Sequence, residues 1–236
     1  MPVIWRLCLA AGIATLLASR GFGWIGAPEL CGPGYGAFGA VLSFEFAPTP
    51  AVLDAMFGTA PCRARMVAAM TRAQGWDALA FIPAYAAFLL LGAGAVTRGR
   101  ALLVAGGLAL LGALLDEAEG LVMLVILGEL PGRQPQFDLL AAIVHVKFVT
   151  LALGTAAIGG LLLARRRVAT VPFGVAMIGF ASASLAGLAM MPNLWLMSGL
   201  TYAWVALLLA SALAALRPSL FAGRAALPPA PAPPSA

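Results

Sequence analysis

"ALLVAGGLALLGALLDEAEGLVMLVILG", residues 101–128, decides the fold. At about 1.5 Å per residue this stretch is long enough to cross the roughly 30 Å of hydrocarbon in a bilayer. It also carries Asp116, Glu117 and Glu119 within four positions of one another. A carboxylate at the centre of a membrane helix costs about 2.5–3.5 kcal/mol, so the three together cost roughly 8–10 kcal/mol. The fourteen Leu, Ile and Val residues of the stretch return only about 4–8 kcal/mol. Alone this helix inserts marginally. Its acids must be paired, protonated or turned toward water inside a bundle.

The rest of the chain agrees with that reading. Apolar residues make up 62% and charged residues 10%, and mean hydropathy is +0.99, whereas a soluble domain carries about 25% charged residues. The apolar runs lack the alternation of barrel strands, so the class is an all-α polytopic transmembrane bundle. About six spans are expected, at 3–19, 77–97, 101–128, 138–164, 171–190 and 194–216. The first, "LCLAAGIATLLA" behind Arg6, has the look of a signal-peptide core, but the segment after that core offers no clean small-x-small cleavage site before Arg20, so a retained anchor is expected.

Charge sets the expected orientation. If the spans alternate, Arg6, Arg98, Arg100, Arg165, Arg166, Arg167, Arg217 and Arg224 fall on one side with no acid among them. The opposite side mixes Arg20, Arg63, Arg65, Arg72 and Arg133 with Glu29, Glu45, Asp54 and Glu129. Both termini are therefore expected to be cytoplasmic. The net charge of +5 is accounted for by this bias, so nucleic acid is not an expected partner.

Two regions are not spans. Residues 20–76 read as an extracytoplasmic segment, with Gly/Pro turns up to Gly39 and then two short helices. "TPAVLDAMFG" offers Thr49 as N-cap, Pro50 at the first helical position and Gly58 past the end; "APCRARMVAAMTRAQG" starts at Pro61 and is expected to stop at Gly75. Cys31 and Cys62 both lie here, where an oxidising compartment permits a disulfide, and two free thiols are the alternative. From Pro218 to Ala236 the Pro/Ala-rich sequence predicts a disordered cytoplasmic tail.

Helical geometry separates the three acids. Asp116 and Glu119 lie about 60° apart on one face, with Glu117 about 100° away on the other side of Asp116. Gly112 and Gly120 flank Asp116 at four-residue spacing and let another helix approach that face closely. Lys147 is the only lysine. Measured from the expected outer helix ends, it lies roughly 14 Å in, against roughly 13 Å for Glu119 and 18 Å for Asp116. A charged cluster of Asp116, Glu119 and Lys147 follows, with Tyr85 at about 12 Å able to donate a hydrogen bond into it.

Other polar positions read as structural. Asp77, after Trp76, is placed to cap the second span. Pro83 should kink that span by freeing the carbonyl near Leu79. Gly179, Ala183 and Gly187 recur every four residues and should form the contact between the last two spans, with Pro192 and Asn193 in the turn between them. His145, the sole histidine, shares an Ala-rich face and reads as a packed core residue. No zinc-type Cys/His set is present, one histidine excludes bis-His haem within one chain, and no cofactor is expected.

"WDALAFIPAYAAFLLLG", "ALLDEAEGLVML" and "AAIVHVKFVTLALG" resemble, in order, the Asp-x-x-Phe-x-x-x-Tyr, Leu-Leu-Asp-x-x-Glu-Asn and Lys-Phe elements of a group of uncharacterised bacterial multi-span inner-membrane proteins. The resemblance spans about residues 40–160. It implies Asp77, Phe81, Tyr85, Asp116, Glu119 and Lys147 as a signature polar set, and it implies no activity. The chain departs from the pattern at Gly120, where the group has Asn.

Three functional classes fit these residues. A structural or hydrophobic-ligand-binding membrane subunit needs the cluster for packing or recognition. A membrane-embedded enzyme would use Asp116 or Glu119 as acid or base beside Lys147 and Tyr85, on a lipid or isoprenoid. A proton-coupled carrier would use the cluster as a titrating gate. Membrane lipid is the expected partner in each, with a hydrophobic small molecule in the first two.

Overall fold

The computed structural model describes residues 2–35, 38–190 and 193–221. It is helical, with no strand among the described residues, and runs α1 (Pro2–Trp24), α2 (Ala40–Glu45), α3 (Pro50–Phe57), α4 (Cys62–Trp76), α5 (Ile82–Val96), α6 (Gly99–Gly128), α7 (Gln134–Ala164), α8 (Val171–Ala189) and α9 (Trp195–Leu216). Five helical segments are long and apolar enough to cross a membrane: Val3–Trp24, Cys62–Val96, Gln134–Ala164, Val171–Ala189 and Trp195–Leu216. The 30-residue α6 lies beside them, packed between α5 and α7.

Six helices close a ring in the order α1, α5, α6, α7, α8, α9, with α9 returning to α1. Their alternation makes each antiparallel to both neighbours. α6 and α7, of 30 and 31 residues, outreach the 19-residue α8, by roughly 16 Å at 1.5 Å per residue. Around that overhang the chain from α1 to α4 folds as a cap. Thr49 accepts from the Val52 N–H at the start of α3, and Gly58, at φ 58°, ends that helix. The Arg63 guanidinium then holds Asp54 at 2.6 Å and the Gly58 carbonyl at 2.7 Å. Cys31 and Cys62 are disulfide-bonded, with Cα atoms 5.9 Å apart.

The structure corrects several expectations. The second short helix does not stop at Gly75: α4 passes through a π-helical turn, Asp77–Phe81, into α5 as one continuous helix. Asp77 therefore caps nothing. Pro83, which has no N–H for the Leu79 carbonyl, follows that widened turn, where the Ile82 N–H reaches back to the Asp77 carbonyl. Between the Gly/Pro turns and Thr49 the chain adds a helix that the sequence reading did not include, Ala40–Glu45, with Phe44 and Glu45 buried. His145 is exposed, its Nδ1 2.7 Å from the Ala141 carbonyl oxygen, and is no core residue. The tail begins in order: Pro218–Leu220 make a 3-10 turn and Phe221 packs edge-on against Trp5. The remainder, 222–236, and Pro192 lie outside the described residues.

The contact between α8 and α9 is close, but its stripe is not the expected one. Steps of four residues drift about 40° each around a helix, so Gly179 lies about 80° from Gly187. Gly187 faces the backbone of Trp195 and Leu196, whereas nothing approaches Gly179. Ser184 and Gly199 complete the contact: the Ser184 hydroxyl donates to the Leu196 carbonyl at 2.6 Å, and a Cβ on Gly199 would sit 2.5 Å from the Phe180 carbonyl oxygen. At the other end of the bundle Arg165 donates to the last carbonyls of α5, Ala95 at 3.1 Å and Val96 at 2.7 Å, which a helix end otherwise leaves without partners.

Gly199→Leu should therefore lower the thermal midpoint of the detergent-solubilised protein by the cost of forcing the two helices apart, about 1–3 kcal/mol or more. Gly179→Leu should stay within about 0.5 kcal/mol of the parent. Equal shifts in the two melting curves would refute this packing.

Candidate functional site

The polar groups inside the ring gather on one ammonium. Lys147, on α7 and only 4% exposed, places Nζ 2.6 Å from Glu119 Oε2, 3.0 Å from Asp116 Oδ1 and 3.2 Å from Glu45 Oε2. The Asp116 and Glu45 contacts are aligned as hydrogen bonds; the shorter approach to Glu119 is an ion contact off the hydrogen-bond line. Nζ also stands 4.5 Å from the centroid of the Phe148 ring. Of the three N–H donors of a lysine, two are aligned on carboxylates here, and the third carboxylate meets the charge alone.

Each group is placed by its element. Gly112 brings α6 against Leu151 and Thr150 of α7, where a Cβ would sit 2.6 Å from the leucine side chain, and so sets Asp116 and Glu119 opposite Lys147. Gly120 faces Gln74 of α4. Tyr85 of α5, fully buried, donates its hydroxyl to Asp116 Oδ2 at 2.7 Å. Its ring lies 5.1 Å from that of Trp204 on α9, whose indole N–H donates to Thr155 Oγ1 at 3.1 Å. Glu117 makes no ion pair with Lys147 and lines a small side cavity instead.

Glu45 is the member that the sequence reading misses, since there it counts among the outer-side acids. It is delivered by α2, anchored through Phe46, which stacks on Phe148 with ring centroids 6.0 Å apart. Its signal was an acid set between two aromatics, "SFEF", in a segment whose polarity suggested surface. Burial pushes the Glu45 carboxyl above the ordinary carboxylate range, and the Lys147 ammonium pulls it back down.

A cavity of about 440 Å³ lies against this cluster, inside the ring. Its polar end is formed by Glu45, Asp77, Tyr85, Asp116 and Lys147, and α2 covers it with Val41 and Leu42. Its floor is Gly12, Phe88 and Leu208, where a Cβ on Gly12 would sit 2.7 Å from Leu208 and 2.8 Å from Phe88. Leu16 and Ser19 of α1 and Thr201 and Val205 of α9 line it and are exposed on the outside of the bundle, so the cavity opens sideways between α1 and α9. The Asp77 side chain, at the π-helical turn, makes no hydrogen bond or ion pair among the described residues. It lines both this cavity and a second one of about 30 Å³ shared with Asp116, Glu117 and Gln74, room for about one water. Among the described residues no His/Cys/Asp/Glu grouping has metal-holding geometry.

The structure thus brings Asp116, Glu119, Lys147 and Tyr85 together, adds Glu45, and moves Asp77 from a helix end to the cavity wall. Compared with known protein families, curated proteins and solved structures, the chain matches none.

Because the carboxylates share one ammonium, Lys147→Met should cost about 3–5 kcal/mol of stability and lower folded yield sharply. Adding Asp116→Asn should recover part of that loss, as should adding Glu45→Gln, while Glu117→Gln alone should change little. A double-mutant cycle on thermal unfolding measures the coupling. Strict additivity would mean that Lys147 does not hold these acids.

Proposed function

We propose that this chain is an inner-membrane protein of bacteria, both termini cytoplasmic, that takes an amphiphilic molecule sideways from the outer leaflet into the ring. The chain would sit among Phe81, Phe88, Leu200 and Leu208, and the head at Asp77 and Glu45. The observation that carries this reading is the cavity's construction: apolar walls, a polar end of buried ionisable groups, and a mouth facing lipid. Its volume of about 440 Å³ lies within the roughly 300–1,000 Å³ of ligand sites. Lys147 is 17 residues from Ala164 (164 minus 147), about 25 Å along α7. With the Arg165–Arg167 end on the cytoplasmic face, the cluster lies near the outer edge of the hydrocarbon. We propose, on its sequence elements alone, that the chain belongs with the multi-span group that its Asp77, Tyr85, Asp116 and Lys147 elements resemble.

A second reading is catalytic. The Tyr85 hydroxyl donates to Asp116 Oδ2 at 2.7 Å on the cavity wall, and Lys147 holds the other oxygen of that carboxylate. This relay could pass a proton to or from a bound lipid or isoprenoid.

Two measurements test the binding reading. A dodecanol brominated near its chain end should quench the fluorescence of Trp204, read as the quenching that Trp204→Phe removes. Thr201→Phe, which narrows the mouth, should weaken the effect about tenfold in concentration. Absence of Trp204 quenching would sink the proposal. For orientation, a reporter fused after Arg166 should show cytoplasmic activity, and extracytoplasmic activity would reverse the topology.

A further inference from the structure

The cavity's polar end contains a lysine, yet its hydrogen-bond inventory rules against an anionic head. Resting on the binding reading above, we propose that the head recognised here is a protonated primary amine, held by Asp77, and that the ligand is a single-chain cationic amphiphile.

The donors at the polar end are already engaged. The Lys147 ammonium donates to Asp116 and Glu45 and stands 2.6 Å from Glu119, so its charge is already committed to three carboxyl groups. The Tyr85 hydroxyl hydrogen goes to Asp116, the Trp204 indole N–H to Thr155 and the Thr15 hydroxyl to the Ala11 carbonyl. Toward the cavity these groups present acceptors: the carboxylates of Asp77 and Glu45 and the lone pairs of Tyr85. Ser19 and Thr201 add hydroxyls only at the exposed mouth.

Charge points the same way. Asp77, Asp116, Glu119 and Glu45 stand about a single ammonium. A phosphate, sulfate or carboxylate head would add to that excess of acids and find free hydroxyl donors only at the mouth. An ammonium would reduce it, and its three N–H groups match the three acceptors. Asp77 is the one carboxylate of the set with no protein partner among the described residues. The π-helical turn that carries it is a distortion found often at functional sites.

The test uses the purified protein in maltoside micelles, with the brominated dodecanol as probe and Trp204 fluorescence as readout. Dodecylamine, dodecanol and dodecanoate compete at equal mole fraction in the micelle. Dodecylamine should displace the probe at about ten- to a hundredfold lower concentration than dodecanol, the range expected for hydrogen bonds to a charged group, and dodecanoate should be weakest. Asp77→Asn should remove the amine's advantage over dodecanol. Dodecanoate equalling the amine, or an amine advantage that survives Asp77→Asn, would overturn the proposal. The head-group series on the parent protein decides it even if the variant fails to fold. If the probe binds and the heads do not differ, only the amine assignment falls; if the probe never quenches Trp204, the binding reading falls with it.

Discussion

One ammonium among three carboxylates sets the terms for the whole bundle. Moving Lys147 out of water costs several kcal/mol, and the same holds for each carboxylate around it; mutual attraction repays this only where geometry is good and remaining hydrogen-bonding capacity is met. Here the geometry comes from three separate elements, with Asp116 and Glu119 on α6, Lys147 on α7 and Glu45 on α2. The glycine at 112 lets α6 and α7 approach. The cap then has a reason to be inside the bundle rather than on it, because α2 carries the third partner. In this register of α6 against α7 all of these charges meet.

Much of this was legible from residue order and composition. The all-helical bundle follows from the length and apolarity of the runs, and the Asp116–Glu119–Lys147 grouping from a cost argument joined to helical periodicity. Asp116 and Glu119 had to find a cation, and Lys147 was the one intramembrane candidate. Tyr85 followed from depth alone. Long helices have a one-dimensional ruler, which is why these placements could be made without knowing which helices touch.

What the ruler cannot measure is where the chain folds back. Glu45 lies 102 residues from Lys147 (147 minus 45), in a segment with the composition of a surface cap, and only its flanking phenylalanines marked it for burial. Asp77 looked like an N-cap because a polar residue at the edge of an apolar run usually is one. A helix that continues through Gly75 and Pro83 by widening one turn breaks that rule, and the carboxylate then faces inward. The Gly179 stripe failed for a smaller reason: four-residue steps are only approximately periodic, and over two of them the error approaches a quarter turn.

The ring has one further property. Four of its six contacts join helices that follow one another through short connections, and a fifth, between α1 and α5, is backed by α4, whose Trp76 indole donates to the Ala18 carbonyl at 2.8 Å. The sixth joins the first long helix of the bundle to the last, with no loop between them. The cavity's mouth lies along that seam. Of all the interfaces, this is the one that can part without stretching a connection. A separation along that seam would leave the Lys147 cluster, held by α2, α6 and α7, assembled.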